Sequence, residues 1–134
     1  MLRGAIARGA VAVPESSAHH TESAARPDLR LLGVLRELSG GVRLPDQPGA
    51  RERNVERRLG RFAREHFPER RRRPSDAIDL RALAIALPRC RLITCDAFMA
   101  DVIRRSALDR RFGCELYSGR REDVARLHRR LDTL

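Results

Sequence analysis

A chain of 134 residues with 42% hydrophobic side chains is long enough for one domain with a modest core, and no apolar run approaches the roughly 20 residues of a membrane span. Aromatic side chains make up 4%, with no Trp and a single Tyr, so recognition of bases by stacking is poorly supplied. The formal charge is +10 and every one of the 28 positive side chains is Arg, a replacement that GC-rich codon usage explains as readily as a ligand does, so the total charge is a discounted pointer to nucleic acid.

In chain order, Leu2 to Arg8 reads as a short helical fragment, and Val11-Ala12-Val13 as a brief buried strand stopped by Pro14. Ser16 or Ser17 can cap a helix running to about Ala25, where Arg26-Pro27 ends it. Leu31, Leu32, Leu35 and Leu38 keep helical spacing within Asp28 to Ser39, and Gly40-Gly41 supplies the stop. Residues 42–50 form a loop by composition. Arg51 to His66 is amphipathic, with Val55, Leu59, Phe62 and Ala63 on one stripe and Arg on the other face. Residues 68–75 form a basic connector, followed by a strongly apolar helix from Asp76 to Leu87 that Pro88 closes.

Arg91 to Cys95 reads as a short strand with Asp96 directly after it. Ala97 to Ala107 is a helix that turns Phe98, Met99, Val102 and Ile103 inward, and Cys114 to Tyr117 is a second strand. Arg121 to Leu131 closes the chain as a helix anchored by Val124, Leu127 and Leu131. No repeat is visible. Helices alternating with short strands favour a single α/β domain over residues 1–134, with a helical bundle as the competing architecture.

The charge is unevenly placed. Residues 51–73 hold ten Arg against four Glu, whereas residues 1–50 hold six Arg against five acids and residues 74–134 twelve against nine. Arg57, Arg58, Arg61, Arg64 and the run Arg70-Arg71-Arg72-Arg73 thus concentrate more than half of the excess. A cluster of this density can neutralise several phosphates, and a solvated helix face is the equally weighted alternative. Cys90, Cys95 and Cys114 are odd in number and form no C-x-x-C pair, which fits small buried hydrophobes in a reduced compartment better than zinc ligands. Arg8-Gly9 interrupts the apolar start before a signal-peptide core can form, so a cytoplasmic location with no membrane partner is expected.

The acids are arranged more informatively. A helix from Ala77 to Leu87 rises about 17 Å. The strand Arg91 to Cys95 spans about 16 Å and must run back against it. The helix start and strand end then share one edge, where Asp76 or Asp79 faces Asp96 across the crevice in which open α/β sheets place ligands. Val11 to Val13, if parallel, ends at that edge and leads to a helix carrying Glu22. Several converging carboxylates repel one another and favour a bound divalent cation such as Mg²⁺ or Mn²⁺. Each acid also has an ordinary role: Asp76 and Asp79 suit a helix first turn, Asp96 suits an N-cap, and Glu22 suits an exposed helix face.

An Asp at the start of an apolar helix, a short strand ending Thr94-Cys95-Asp96 and a further helix together resemble the carboxyl half of a PIN-like nuclease domain. Val11-Ala12-Val13-Pro14-Glu15-Ser16-Ser17-Ala18-His19 with Glu22, and Leu35 to Gly41, extend the resemblance over roughly residues 9 to 120. It implies a three-layer α/β fold with a short parallel sheet flanked by helices, incomplete at the amino terminus, since the family's first strand and its Asp have no counterpart here. It also implies a bacterial, metal-dependent endoribonuclease, a hydrolase of the toxin–antitoxin kind, that cleaves RNA phosphodiester bonds or has lost that activity with the first Asp. Glu22, Asp79 and Asp96 would be catalytic and hold Mg²⁺ or Mn²⁺, Asp76 would be a substitute or supporting ligand, and Thr94 would orient the strand end. RNA is the expected substrate, and an antitoxin protein or a second copy of the chain is an expected partner. The competing function is a non-catalytic basic protein that binds nucleic acid through residues 51–73 alone. A helix-turn-helix DNA binder ranks last, because Pro88 and the Leu92–Asp96 strand break the helical register it needs.

Overall fold

The short elements at the amino terminus are held by polar contacts more than by apolar area. A computed structural model describes all 134 residues, and they divide into two compact units, one of residues 1–46 with 125–134 and one of residues 47–124. The first unit contains α1 (Leu2–Ala7), α2 (Ser17–Ala24), one 3-10 turn at Pro27–Leu29 and α3 (Leu31–Ser39). Ser16 caps α2: its hydroxyl accepts the His19 N–H, and the His19 ring accepts the Ser16 N–H in return. The helix expected from Asp28 is split, because Arg30 takes a left-handed backbone (φ 50) between the 3-10 turn and α3. Gly40, at φ 55, ends α3 as the glycine pair indicated.

Val11 to Val13 does not form the expected strand. The pairing falls instead at Glu15, which bridges Arg43 in parallel: the Glu15 N–H donates to the Val42 carbonyl at 2.8 Å and the Glu15 carbonyl accepts the Leu44 N–H at 2.7 Å. Pro14 has no N–H to extend that ladder backward. The Glu15 carboxylate is buried, accepts the Ser39 hydroxyl at 2.5 Å and lies 2.6 Å from His20 Nε2. Those two hydrogen bonds, Ser39 first, hold its carboxyl below the usual carboxylate range and fasten the start of α2 to the end of α3.

The second unit runs α4 (Ala50–His66), α5 (Asp76–Ala86), β1 (Leu92–Cys95), α6 (Ala97–Arg105), α7 (Leu108–Phe112), β2 (Glu115–Ser118) and the first turn of α8 (Arg121–Asp132). Two helices connect strands that pair in parallel, with Leu92 opposite Glu115, Ile93 opposite Leu116, Thr94 opposite Tyr117 and Cys95 opposite Ser118. The protein is therefore α/β and mostly helical, with a two-stranded parallel sheet. No helix is long and apolar enough to cross a membrane. α7 is not legible in the periodicity; it follows Ala107, whose φ of 57 breaks the line of α6.

The apolar stripes of four helices meet on the strands. Val55 and Leu59 of α4 join Leu83 and Ala84 of α5, Ile93 of β1, Met99, Val102 and Ile103 of α6, Leu108 of α7 and Leu116 of β2 in one core. Leu59, Leu87, Met99, Val102, Ile103 and Leu108 are fully buried, and each such side chain contributes about 1.5–3 kcal/mol by removal from water. Val124, expected to anchor the last helix, is 39% exposed, and Leu131 is the buried residue of that helix's second half. Gly60 lies in the interior of α4, where an added Cβ would make only ordinary contacts, 3.7 Å to Arg64 and 3.8 Å to Leu80. A glycine there costs about 0.5–1 kcal/mol relative to Ala, so a methyl group would be tolerated and stabilising, yet the position stays bare.

The end of β2 is fixed by Asp123. Its carboxylate accepts the Ser118 hydroxyl at 2.6 Å, the Ser118 N–H at 2.9 Å and the Arg104 guanidinium at 2.7 Å. Burial pushes the carboxyl pKa up, but the Arg104 and Ser118 hydrogen bonds outweigh it and hold the group far below its ordinary 3.8. A carboxyl with a depressed pKa contributes stability that is complete above its unfolded-state value and is lost progressively as pH falls from there through the lower folded-state value. Denaturant unfolding followed by circular dichroism is expected to show constant stability above about pH 5 and a decline below about pH 4. Asp123→Asn should lower the plateau and flatten the acid decline; an unchanged acid slope would show that Asp123 does not fasten the strand.

Candidate functional site

α5 begins at Asp76 because Pro74 and Ser75 precede it and its first turn carries Asp76 and Asp79, whose charges favour the positive helix end. β1 ends at Cys95, and Asp96 then caps α6: its Oδ1 accepts the Met99 N–H at 2.7 Å. The capping role foreseen for Asp96 is therefore in place. Asp76, Asp79 and Asp96 share one electrostatic neighbourhood, whose centre is the guanidinium of Arg70. All three charges stabilise the Arg70 cation and raise its pKa, the hydrogen bond to Asp76 most of all.

Arg70 is held on two sides. Its Nη1 donates to Asp76 Oδ2 at 2.6 Å and its Nη2 to Asp76 Oδ1 at 3.1 Å, a two-pronged pairing. Its guanidinium carbon lies 3.5 Å from the centre of the Phe98 ring, a cation–π stack. Phe98 in turn meets Phe67 edge to face, with ring centres 5.3 Å apart. Asp76 is buried and also accepts the Arg73 N–H at 2.9 Å, closing the connector's last turn. The Arg70 hydrogen bond first, and the Arg73 N–H after it, hold the Asp76 carboxyl below its usual range despite burial.

The other sequence candidates fall as follows. Asp79 is half-buried in the first turn of α5, Asp96 is exposed beyond its capping bond, and Thr94 is exposed on β1. Glu22 is exposed on α2, in the first unit. The donor chemistry of three carboxylates suits a hard divalent cation. The arrangement does not, because both oxygens of Asp76 are committed to Arg70 and Arg73 and one oxygen of Asp96 to α6. In neither unit do three or more His, Cys, Asp or Glu side chains stand close enough together to hold a metal ion.

The basic segment is more continuous than the sequence indicated. Arg53, Arg57, Arg61 and Arg64 recur three or four residues apart along α4 and are exposed, as is Arg58. Two Glu residues of the same helix are taken by arginines from outside it: Glu52 by Arg89 at 2.8 Å and Glu56 by Arg81 at 3.5 Å. Arg57 bonds the Asn54 side chain, and Arg58 reaches the Ser106 carbonyl at 3.3 Å, so neither guanidinium is neutralised. A groove of about 610 Å³ runs beside this row, lined by Arg57, Arg58, Arg61 and Arg64. Arg71, Arg72 and Arg73 are exposed just beyond it in sequence, whereas Arg70 is set apart by its bond to Asp76.

The cysteines are all free thiols, partly buried beside the core. Burial first, with the Asp96 charge added, pushes the Cys95 thiol up to about 12. No protein-family model, curated protein or solved structure matches the chain.

Two measurements check this geometry. Arg70→Ala removes the partner of a buried carboxylate and is expected to destabilise the chain by about 1–3 kcal/mol in urea unfolding. A change below about 0.5 kcal/mol would show that the clasp is not structural. Iodoacetamide at pH 8 should modify Cys95 far more slowly in the folded protein than in urea, read by peptide mass spectrometry, because almost no thiolate is present.

Proposed function

We propose that this chain is a PIN-like protein of the bacterial cytoplasm that binds single-stranded RNA by its phosphate backbone, and that binding rather than hydrolysis is its activity while Arg70 holds Asp76. The observation that carries the reading is the exposed arginine row of α4, two of whose three helix-mate acids, Glu52 and Glu56, are paired to arginines outside the helix, leaving Glu65 beside the row. Like charges three or four residues apart weaken a helix by about 0.2–0.5 kcal/mol per pair. A polyanion lying along the row relieves that repulsion and releases its own counterions.

Support for the PIN-like part comes from the order α5, β1, α6 and from the parallel pairing of β1 with β2. The three-layer arrangement and the RNA ligand both belong to this proposal. Free, partly buried thiols favour the reducing setting. Few aromatic side chains are available, so the arginines would hold backbone without reading sequence.

A second reading is a Mg²⁺- or Mn²⁺-dependent endoribonuclease, favoured by one observation: Asp76, Asp79 and Asp96 all act on the same cation, Arg70. In that reading Arg70 must leave before a metal could take its place.

Fluorescence anisotropy with labelled single-stranded RNA tests the binding. Affinity should fall steeply with salt, and Arg57→Ala with Arg61→Ala and Arg64→Ala should reduce the slope of log K against log salt by about 2. A slope unchanged in the triple variant would overturn the assignment. Incubation with Mn²⁺ tests the second reading: cleavage that Asp96→Asn abolishes would establish the hydrolase, and equal products from both proteins would remove it.

A further inference from the structure

We propose that the cavity between the end of α4, the connector and the start of α5 is a binding site for a nucleoside 5′-monophosphate. The inference rests on the RNA-binding reading and names the ligand group that this part of the surface takes. The cavity has a volume of about 570 Å³ and lies wholly within residues 47–124. That falls in the range of about 300–1,000 Å³ typical of small-ligand sites.

Its walls divide by chemistry. Phe67 and Leu80 supply an apolar side, and Arg64, Arg72 and Arg73 supply a rim of guanidiniums that form no ion pair. A planar base fits the first and a phosphomonoester the second, since guanidinium forks match phosphate oxygens in pairs. Asp76 also reaches this cavity and would repel a phosphate if its charge were open. Its oxygens are instead turned to Arg70 and the Arg73 N–H, so the clasp that blocks a metal also masks the repulsive charge.

Gly60 is the second, independent sign. It forms part of the cavity wall from the interior of α4, where a side chain would meet no backbone and a methyl group would be accepted. Glycine at such a helical position lowers stability with no conformational need for it, and it leaves the cavity wall without a side chain where a Cβ would lie 3.7 Å from Arg64 and 3.8 Å from Leu80. The shared chemistry has two sources, a free mononucleotide and the 5′-phosphorylated end of an RNA.

Isothermal titration calorimetry with adenosine 5′-monophosphate on the full chain tests the site. Adenosine and inorganic phosphate should each bind at least tenfold more weakly than the nucleotide, and Arg72→Ala with Arg73→Ala should weaken it tenfold or more. Gly60→Leu should abolish nucleotide binding while the helical circular dichroism is retained. Nucleotide affinity no greater than that of adenosine or phosphate, or unchanged in both variants, would overturn the proposal. Displacement of the nucleotide by a 5′-phosphorylated RNA, and not by its 5′-hydroxyl counterpart, assigns the RNA end as the source; failure of both RNAs assigns the free nucleotide. If the wild type binds RNA with steep salt dependence and does not bind the nucleotide, this inference alone fails. Loss of RNA binding as well removes the function it rests on.

Discussion

The pairing of Arg70 with Asp76 is the constraint on which the second unit's surface depends. Five residues separate the two, Pro74 and Ser75 among them, and the bond turns a charged connector into a closed loop against the start of α5. It brings Phe98 of α6 into the same contact through the guanidinium face. Removing either partner would leave a charged group poorly solvated, which is why such pairs are far more costly to break singly than they are favourable to form. One bidentate interaction thereby sets the path of the chain, the state of the acidic cluster and the wall of the cavity beside it.

Charge in this protein is organised by who partners whom. The +10 balance indicates only that arginine is in excess. Glu52 and Glu56 face Arg89 and Arg81, Asp101 faces Arg120, and Asp123 faces Arg104. The pairing of Glu52 and Glu56 with arginines from outside α4 leaves only Glu65 among that helix's acids beside its outer arginines. The more exposed of these pairs, Glu56 with Arg81 and Asp101 with Arg120, contribute little to stability, about 0–1 kcal/mol each. The effect of the Glu52 and Glu56 pairs is on the electrostatic field: they take up the acids near α4 and leave a dense run of unpaired arginine along one helix face and the adjacent connector.

Much of the architecture was written in local patterns. The helix boundaries at Ser16, Gly40 and Pro88, the capping role of Asp96 and the two short strands all follow from residue types whose backbone preferences act within a turn or two. Where the pattern misled, a non-local partner decided. Val11 to Val13 has strand-forming residues but no neighbouring strand, and the pairing moved to Glu15, whose side chain Ser39 and His20 hold. α7 leaves no signal in the sequence because its five residues are too few to show a period. Among the site residues, Asp76, Asp79 and Asp96 were identifiable from their spacing around an apolar helix and strand. Arg70 was visible only as one of four adjacent arginines, with nothing to separate it from Arg71, Arg72 or Arg73.

The sequence by itself determined the alternation of helices and strands, the concentration of arginine over residues 51–73 and the presence of acids at a helix start and a strand end, because each depends on residue identity and short-range spacing. Tertiary structure alone decided which cation those acids meet. A carboxylate's partner depends on where a folded loop returns, and Pro74 together with the Phe98 ring brings Arg70 back to Asp76. The same return path leaves Arg64, Arg72 and Arg73 around an open cavity. Local preferences fixed the elements; long-range packing assigned their charges.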